Sequence, residues 1–267
     1  MAADLRRLGV VQGDTLLVQS SLRSLGFVVG GSVAVVQALL DVVGPAGTVV
    51  VPAYTSGNSD PSRWVSTRRR AVPEAWWPLI RDHLPAFDPA MTPSEGVGRV
   101  AETVRGWPGA YRSAHPQTSF AAVGRDADRI TAGHQRDCHL GPGSPLGRLA
   151  EAGARILLLG VPYAVCTGFH LAEYQVSDPP GREYECVVDR GGERTWYRYR
   201  DVVLDDHDFG PLGEALEADP RGGCPVRRGP VGEADSRLLP LAEAVAFARG
   251  WLARHRSGDQ SSATPEA

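Results

Sequence analysis

The chain of 267 residues contains no lysine: all 28 of its basic residues are arginine. That absence removes a Schiff-base lysine, a P-loop lysine, the ATP-binding lysine of a kinase and the Ser-x-x-Lys dyad of serine lactamases in one step. Cysteine is scarce, and Cys138, Cys166, Cys186 and Cys224 include no pair at the C-x-x-C step of a zinc or redox site. No His-x-x-x-His pair occurs either. His134 and His139 flank Asp137 and Cys138, but no second ligand cluster joins them, so no metal is expected. No apolar run approaches the roughly 18 residues that span a bilayer, and Met1-Ala2-Ala3-Asp4 lacks the regions of a signal peptide. A cytoplasmic protein with no membrane partner is the expectation. A basic surplus is also missing: the formal net charge of −3 argues against a nucleic-acid partner.

What is present is ordinary globular material, with 42% hydrophobic and 22% charged residues. The length suits one domain over residues 1–256, with residues 257–267 expected to be disordered. The opening reads as a β-loop-α-β unit: a short helix near Leu5 to Leu8, a strand at Thr15 to Val18, a helix at Ser32 to Val43 and a strand at Thr48 to Val51. Later come a strand at Ser119 to Val123, a helix at Asp126 to Ala132 and a helix opened by Ser144-Pro145 and closed by Gly153. Arg155 to Val161, with Ile156-Leu157-Leu158-Leu159, is the strand that reads as buried on both faces. Residues 56–93 interrupt this rhythm with six prolines and with Trp64, Trp76 and Trp77, a Pro/Trp-rich excursion expected to cover a site. Thr92-Pro93-Ser94-Glu95 spells a capping box for a helix reaching Arg105. Glu183 to Val203 reads as a hairpin, and Pro240 to His255 as an amphipathic helix. The fold class is α/β, a mixed sheet with flanking helices.

Three stretches carry candidate chemistry. The first runs from Thr167 to Tyr174, just beyond the buried strand. If Thr167 caps a helix there, His170 and Glu173 share one face, so the carboxylate can orient the imidazole of a general base or merely pack against it. The second is the glycine turn from Ser20 to Gly31, between the first strand and a helix, where backbone N–H groups can cradle a pyrophosphate or simply turn the chain. The third is acidic: seven carboxylates and no arginine stand between Asp201 and Asp219, just after the aromatics Trp196, Tyr197 and Tyr199. Such a face suits a polycationic ligand if it is not a solvated loop. Arg68-Arg69-Arg70 reads as a solvated run or a phosphate contact.

Taken in order, these stretches resemble the aminoglycoside 3-N-acetyltransferase family. The resemblance is carried by Ser20-Ser21-Leu22, Val29-Gly30-Gly31, Gly44-Pro45-Ala46-Gly47-Thr48, Pro85 to Pro89, Arg112 to Pro116, Ser144 to Gly147, Thr167 to Tyr174 and Trp196 to Phe209. It implies the fold of that family, acetyl-CoA as cosubstrate, no metal, and transfer to the 3-amino group of a 2-deoxystreptamine ring. On that resemblance His170 is the general base, Glu173 or Asp201 fixes its tautomer, and Thr167 or nearby N–H groups support the oxyanion. The CoA contacts implied are Ser20, Ser21, Leu22 and Arg23, then Val28, Val29, Gly30 and Gly31, with Arg112, Ser113, His115 and Ser119 lining the same cleft. The antibiotic contacts implied are Tyr54, Asp60, Glu74 and Trp76, with Glu102, Asp178, Asp205 and Asp206. The oligomer is expected to be a monomer or a homodimer. One departure stands out, because Gln19 occupies a position where many relatives have histidine. Three other readings compete: a ping-pong enzyme with Cys166 as nucleophile, an N-acetyltransferase of a different amine, and a non-catalytic binder of cationic sugars.

Overall fold

Ile156, Leu157, Leu158 and Leu159 are all fully buried, as four consecutive apolar residues in an extended strand require when both sheet faces are covered. Ile156 and Leu158 enter one apolar cluster, Leu157 and Leu159 the other. Burying four such side chains contributes roughly 1.5 to 3 kcal/mol each, and it fixes this strand near the centre of the molecule.

The computed structural model describes residues 1–66, 72–219, 221 and 223–256. The Arg68-Arg69-Arg70 run and residues 257–267 lie outside the described residues. In chain order, α1 (Ala2–Leu8), β1 (Thr15–Ser20), α2 (Gly31–Val43) and β2 (Thr48–Pro52) form the opening unit. The Pro/Trp-rich segment holds α3 (Trp77–His83), and α4 (Gly98–Arg105), β3 (Tyr111–Arg112), β4 (Phe120–Gly124), α5 (Ala127–Thr131), α6 (Pro145–Glu151) and β5 (Arg155–Leu159) follow. A single-turn α7 (His170–Glu173) precedes the hairpin of β6 (Gly181–Arg190) and β7 (Glu193–Val202). The described chain closes with α8 (Phe209–Glu217), β8 (Arg227–Val231), β9 (Ala234–Pro240) and α9 (Leu241–His255).

The main sheet has seven strands in the order β3-β4-β2-β1-β5-β9-β8. Only β2, β1 and β5 run parallel, and the outer strands are antiparallel. Residues of α1, α2 and α4 pack on one face, and those of α5, α6, α8 and α9 on the other. The chain leaves β1 towards β2 on one side, while β5 hands on to β9 on the other. A crevice therefore opens beyond the carboxyl ends of β1 and β5, the position where open α/β sheets bind ligands. The β6–β7 hairpin forms a separate two-stranded sheet with its own small apolar cluster of Cys186, Val188 and Tyr199.

Three expectations about elements need correction. Thr92 does not open α4; its hydroxyl accepts the Asp88 N–H at 3.0 Å, and the helix starts only at Gly98. Gly96 (φ 72°) and Gly98 (φ 84°) take left-handed backbone there, which interrupts any helix begun at Thr92. The Thr167 side chain does not cap a helix, because its hydroxyl is taken by Gln19 and Tyr54. The acidic stretch after Asp201 is not an open acidic face. Its second half is α8, whose Phe209, Leu212 and Leu216 are buried, and several of its carboxylates are neutralised by cations from other elements.

Candidate active site

The chain leaves β5 at Gly160, makes two turns of 3-10 helix over Tyr163–Val165 and Thr167–Phe169, and enters α7 with His170 as its first residue. Phe169 is fully buried and meets Phe209 edge-on at 5.5 Å between ring centroids, which anchors the turn. The His170 ring lies 4.7 Å from the same Phe209 ring and keeps a small exposed edge. Its Nδ1 sits 2.6 Å from Glu173 Oε2. The other carboxylate oxygen, Oε1, accepts the Asp205 N–H at 3.0 Å and Nη1 of Arg256 at 2.6 Å. Burial works against the Arg256 charge, but the ion pairs with Asp208 and Glu173 outweigh it and raise its pKa further. With Glu173 Oε2 as the acceptor, Nδ1 carries the imidazole proton and Nε2 presents a lone pair.

His170 lines a cleft of about 940 Å³ that runs past the ends of β1 and β5. Its walls include Ser20 at the end of β1, Ser21, Leu22, Arg23 and Val28 in the turn that follows, Gly31 at the start of α2, and Arg99. The first turn of α2 is capped only by Gly30, in left-handed backbone at φ 82°, and no side chain accepts its N–H groups. Those N–H groups with Arg23 and Arg99 suit a phosphate-bearing chain, and Phe27, 93% exposed, stands at the same cleft as an apolar contact.

Thr167 is fixed at the inner end of this cleft. Its N–H donates to Gln19 Oε1 at 3.0 Å, and its hydroxyl oxygen accepts from Gln19 Nε2 at 3.0 Å and from the Tyr54 hydroxyl at 3.2 Å. With both acceptor positions occupied, the hydroxyl proton of Thr167 is free to be donated to a further acceptor. Tyr54 and Ser56 line both this cleft and a second one of about 850 Å³, bounded by residues 59–63, Arg81, Asp82, His139 and the β6–β7 hairpin.

Several residues singled out from the sequence sit elsewhere. Asp201 does not reach His170. Its Oδ2 accepts the His139 N–H at 2.7 Å, His139 Nδ1 at 2.6 Å and the Tyr174 hydroxyl at 2.7 Å. Burial raises its pKa, but these bonds from His139 and Tyr174 outweigh burial and hold it below the usual carboxylate range. Arg112, Ser113, His115 and Ser119 line neither cleft. Arg112 donates to Ser119 and to the carbonyls of Ala53, Pro89 and Thr92, and burial lowers its pKa to about 10. Ser113 bonds His134, and His115 is wholly buried with its Nδ1 accepting the Gln117 and Thr118 N–H groups. Their hydrogen bonds run to other parts of the protein. Val29 and Gly30 also stand outside the cleft lining, with Val29 exposed.

Of the expected antibiotic contacts, Tyr54 and Asp60 line the second cleft, and Asp206 lines the first. Asp205 pairs with His207, Glu102 with Arg105, and Asp178 occupies a turn at φ 49°. Glu74 and the exposed Trp76 line neither cleft. Cys166, the candidate nucleophile, is fully buried, and burial pushes its thiol up to about 12, so it carries no thiolate at neutral pH. Gln19, Arg256, Arg99 and His139 are the neighbours that sequence reasoning left without a role. Gln19 is the one with a visible signal, since it is a polar residue ending a buried strand. Among the described residues no group of three or more His, Cys, Asp or Glu is placed to hold a metal ion, and no helix is long and apolar enough to cross a membrane.

The chain has relatives among known proteins. A family model described as aminoglycoside 3-N-acetyltransferase matches residues 17–253. The SPbeta prophage-derived aminoglycoside N(3')-acetyltransferase-like protein YokD of Bacillus subtilis (strain 168) is 40% identical, over 95% of this chain and 91% of the relative. Aminoglycoside N(3)-acetyltransferase VII of Streptomyces paromomycinus is 38% identical, over 94% of this chain and 90% of the relative. Among solved structures, AAC-IIIb in binary complex with CoASH superposes with a TM-score of 0.81 at 30% identity, covering 100% of this chain and 97% of that one.

Proposed function

The chain belongs to the aminoglycoside 3-N-acetyltransferase family, and from that premise we propose that it moves the acetyl group of acetyl-CoA directly onto the 3-amino group of the 2-deoxystreptamine ring of an aminoglycoside, giving antibiotic resistance. The observation that carries the reading is the His170–Glu173 pair at 2.6 Å, opening onto a cleft with a glycine turn and two arginines along its wall. Acetyl-CoA lies in the first cleft, its phosphates against Arg23, Arg99 and the first turn of α2. The acceptor enters by the second cleft, for which the Pro/Trp-rich segment supplies one wall through Asp60 and Arg81. The two meet at Tyr54 and Ser56.

The acceptor amine is largely an ammonium ion at neutral pH and attacks only as the free base. Its nitrogen forms a bond to the thioester carbonyl carbon while His170 Nε2 takes the proton it sheds. Glu173, hydrogen-bonded to His170 and to Arg256, balances the imidazolium that results. The Thr167 hydroxyl, held by Gln19 and Tyr54, donates to the oxygen on which negative charge develops. The carbon–sulfur bond then breaks, and the imidazolium returns its proton to the CoA sulfur. No covalent enzyme intermediate enters, in keeping with the burial of Cys166.

The test is amine-dependent release of free thiol from acetyl-CoA. His170→Ala is expected to lower it by roughly 10² to 10⁴, the usual contribution of a positioned base. Cys166→Ser is expected to keep turnover within about five-fold of the parent, since a buried thiol that is not the nucleophile contributes only packing. Thiol release undiminished in the histidine variant, or abolished in the cysteine variant, would sink the mechanism.

A further inference from the structure

Four carboxylates line the second cleft, and Asp60 is the one most withdrawn from solvent, with 17% of its side chain exposed against 28% for Glu185. Asp82 and Glu183 are exposed. An ammonium group that paired with Asp60 would meet the least screened anion of the four.

Asp60 has no acceptor position left for it. Its Oδ1 accepts the Ser62 N–H at 3.0 Å, the Ser62 hydroxyl at 2.6 Å and Nη2 of Arg81 at 3.1 Å, and its Oδ2 accepts Nε of Arg81 at 2.7 Å. These four donors fill the roughly four lone-pair sites of a carboxylate, and the guanidinium cancels its charge.

The two sets of donors differ in how firmly they are held. Ser62 belongs to the same turn as Asp60, at the entry to a short 3-10 helix over Pro61–Ser66, and keeps the carboxylate aimed. Arg81 reaches over from α3, 21 residues on, with 43% of its side chain exposed. Its guanidinium also lies 5.7 Å from the Trp77 ring, and the Glu185 carboxylate adds to the stabilisation of its charge, so it keeps partners when it leaves Asp60. Nor does α3 move with it. The contact of α3 with the hairpin runs through the Arg81 main-chain carbonyl, which accepts Nε1 of Trp196 at 3.0 Å and Nη2 of Arg194.

We propose that Arg81 is an internal competitor of the acceptor: an ammonium group of the aminoglycoside other than the reactive amine takes its place on Asp60, and the guanidinium swings aside to admit it. The proposal rests on the acetyl-transfer reading, in which the acceptor enters by the second cleft. It makes Arg81 a specificity-determining residue, because an acceptor with an ammonium able to reach Asp60 offsets the opened pair and one with a hydroxyl there does not.

Calorimetry on the full chain loaded with CoA tests it, with kanamycin, gentamicin and neomycin as acceptors. Arg81→Ala is expected to tighten binding of at least one of them about five-fold to ten-fold. Arg81→Lys, which keeps the charge but gives up the two-pronged pairing, is expected to gain by a smaller factor. Loss of a positive charge from the cleft favours a polycation in any case, so the deciding comparison is made in an Asp60→Asn background, where the amide oxygen still accepts from Ser62. There Arg81→Ala is expected to change affinity by less than about two-fold. An equal gain in both backgrounds, or no gain from Arg81→Ala with any acceptor, overturns the proposal. Thiol release from acetyl-CoA separates this outcome from that of the reading beneath it. Tighter binding in Arg81→Ala without amine-dependent thiol release in parent or variant defeats acetyl transfer and leaves the competition standing. Amine-dependent release with an affinity that Arg81→Ala does not move defeats the competition and leaves acetyl transfer standing.

Discussion

Gln19, next to last in β1, makes three hydrogen bonds to one short loop: to the Val165 carbonyl, to the Thr167 hydroxyl and from the Thr167 N–H. It touches no reacting atom, so it is a positioning residue whose effect passes through Thr167. Gln19→Ala is expected to lower kcat about ten-fold, because a small displacement of a group that aids the transition state costs rate steeply. The same change made in a Thr167→Val background should cost much less, since the residue it positions no longer donates. Full additivity of the two substitutions in kcat would show that Gln19 does not act through Thr167. The His170–Glu173 pair was legible in the sequence because i and i+3 residues meet on any helical turn. The partner of Asp201 was not, because His139 stands 62 residues away and only the fold brings them together. Nor was Arg256, which reaches Glu173 from the far end of α9 across 83 residues.

The β6–β7 hairpin depends on the Pro/Trp-rich segment for its placement. Asn58 is the joint: its Nδ2 donates to the Val187 carbonyl at 2.9 Å, and its Oδ1 accepts the Val187 N–H at 2.7 Å. Removing that amide leaves a buried N–H without a partner, so Asn58→Ala is expected to cost about 2 to 3 kcal/mol in urea unfolding. Because the hairpin borders the second cleft and not the first, the same variant should raise KM for the amine while KM for acetyl-CoA stays put. A parallel rise in both would place the hairpin outside acceptor binding. Strands β1, β2, β4 and β5, the β6–β7 hairpin and helices α2 and α9 were readable from apolar runs and glycine punctuation, β5 most of all. Among the elements that were not, α8 and β8 show why. In α8 the apolar set Phe209, Leu212 and Leu216 follows a cluster of three aspartates, so charge conceals the period. In β8 the run Arg227–Val231 contains glycine and proline and reads as loop. The structure makes it the edge of the sheet, where a missing N–H leaves no partner unsatisfied.

Across the whole molecule, the acid sensitivity of the fold between pH 7 and pH 5 falls on its buried histidines. His134 donates from Nε2 towards the carbonyls of Cys138 and His139, and its Nδ1 faces the Ser113 hydroxyl. His115 uses Nδ1 to accept two backbone N–H groups. In both imidazoles one ring nitrogen is placed to accept a hydrogen bond, which the neutral ring satisfies. Burial, then the neighbouring histidines, hold His115 well below its ordinary value. Burial brings His134 down to about 3 against the hydrogen bonds from the carbonyls of His139 and Cys138. In the unfolded chain both titrate near 6.5. Below that pH the unfolded state binds protons that the folded state refuses, so stability falls as pH falls, and the loss continues towards the folded-state values. Paired carboxylates lose their contribution only below about pH 4, which leaves the window between pH 7 and pH 5 to the histidines. His207, raised by surface Asp205, works in the opposite direction but is exposed and screened. Each buried histidine is then expected to cost about 2 kcal/mol between pH 7 and pH 5, about 4 kcal/mol for the two. Urea unfolding at the two pH values measures the difference directly. A free energy of unfolding unchanged over that interval would mean that both rings accept a proton without leaving the fold, and a loss of about half the expected size that one of them does.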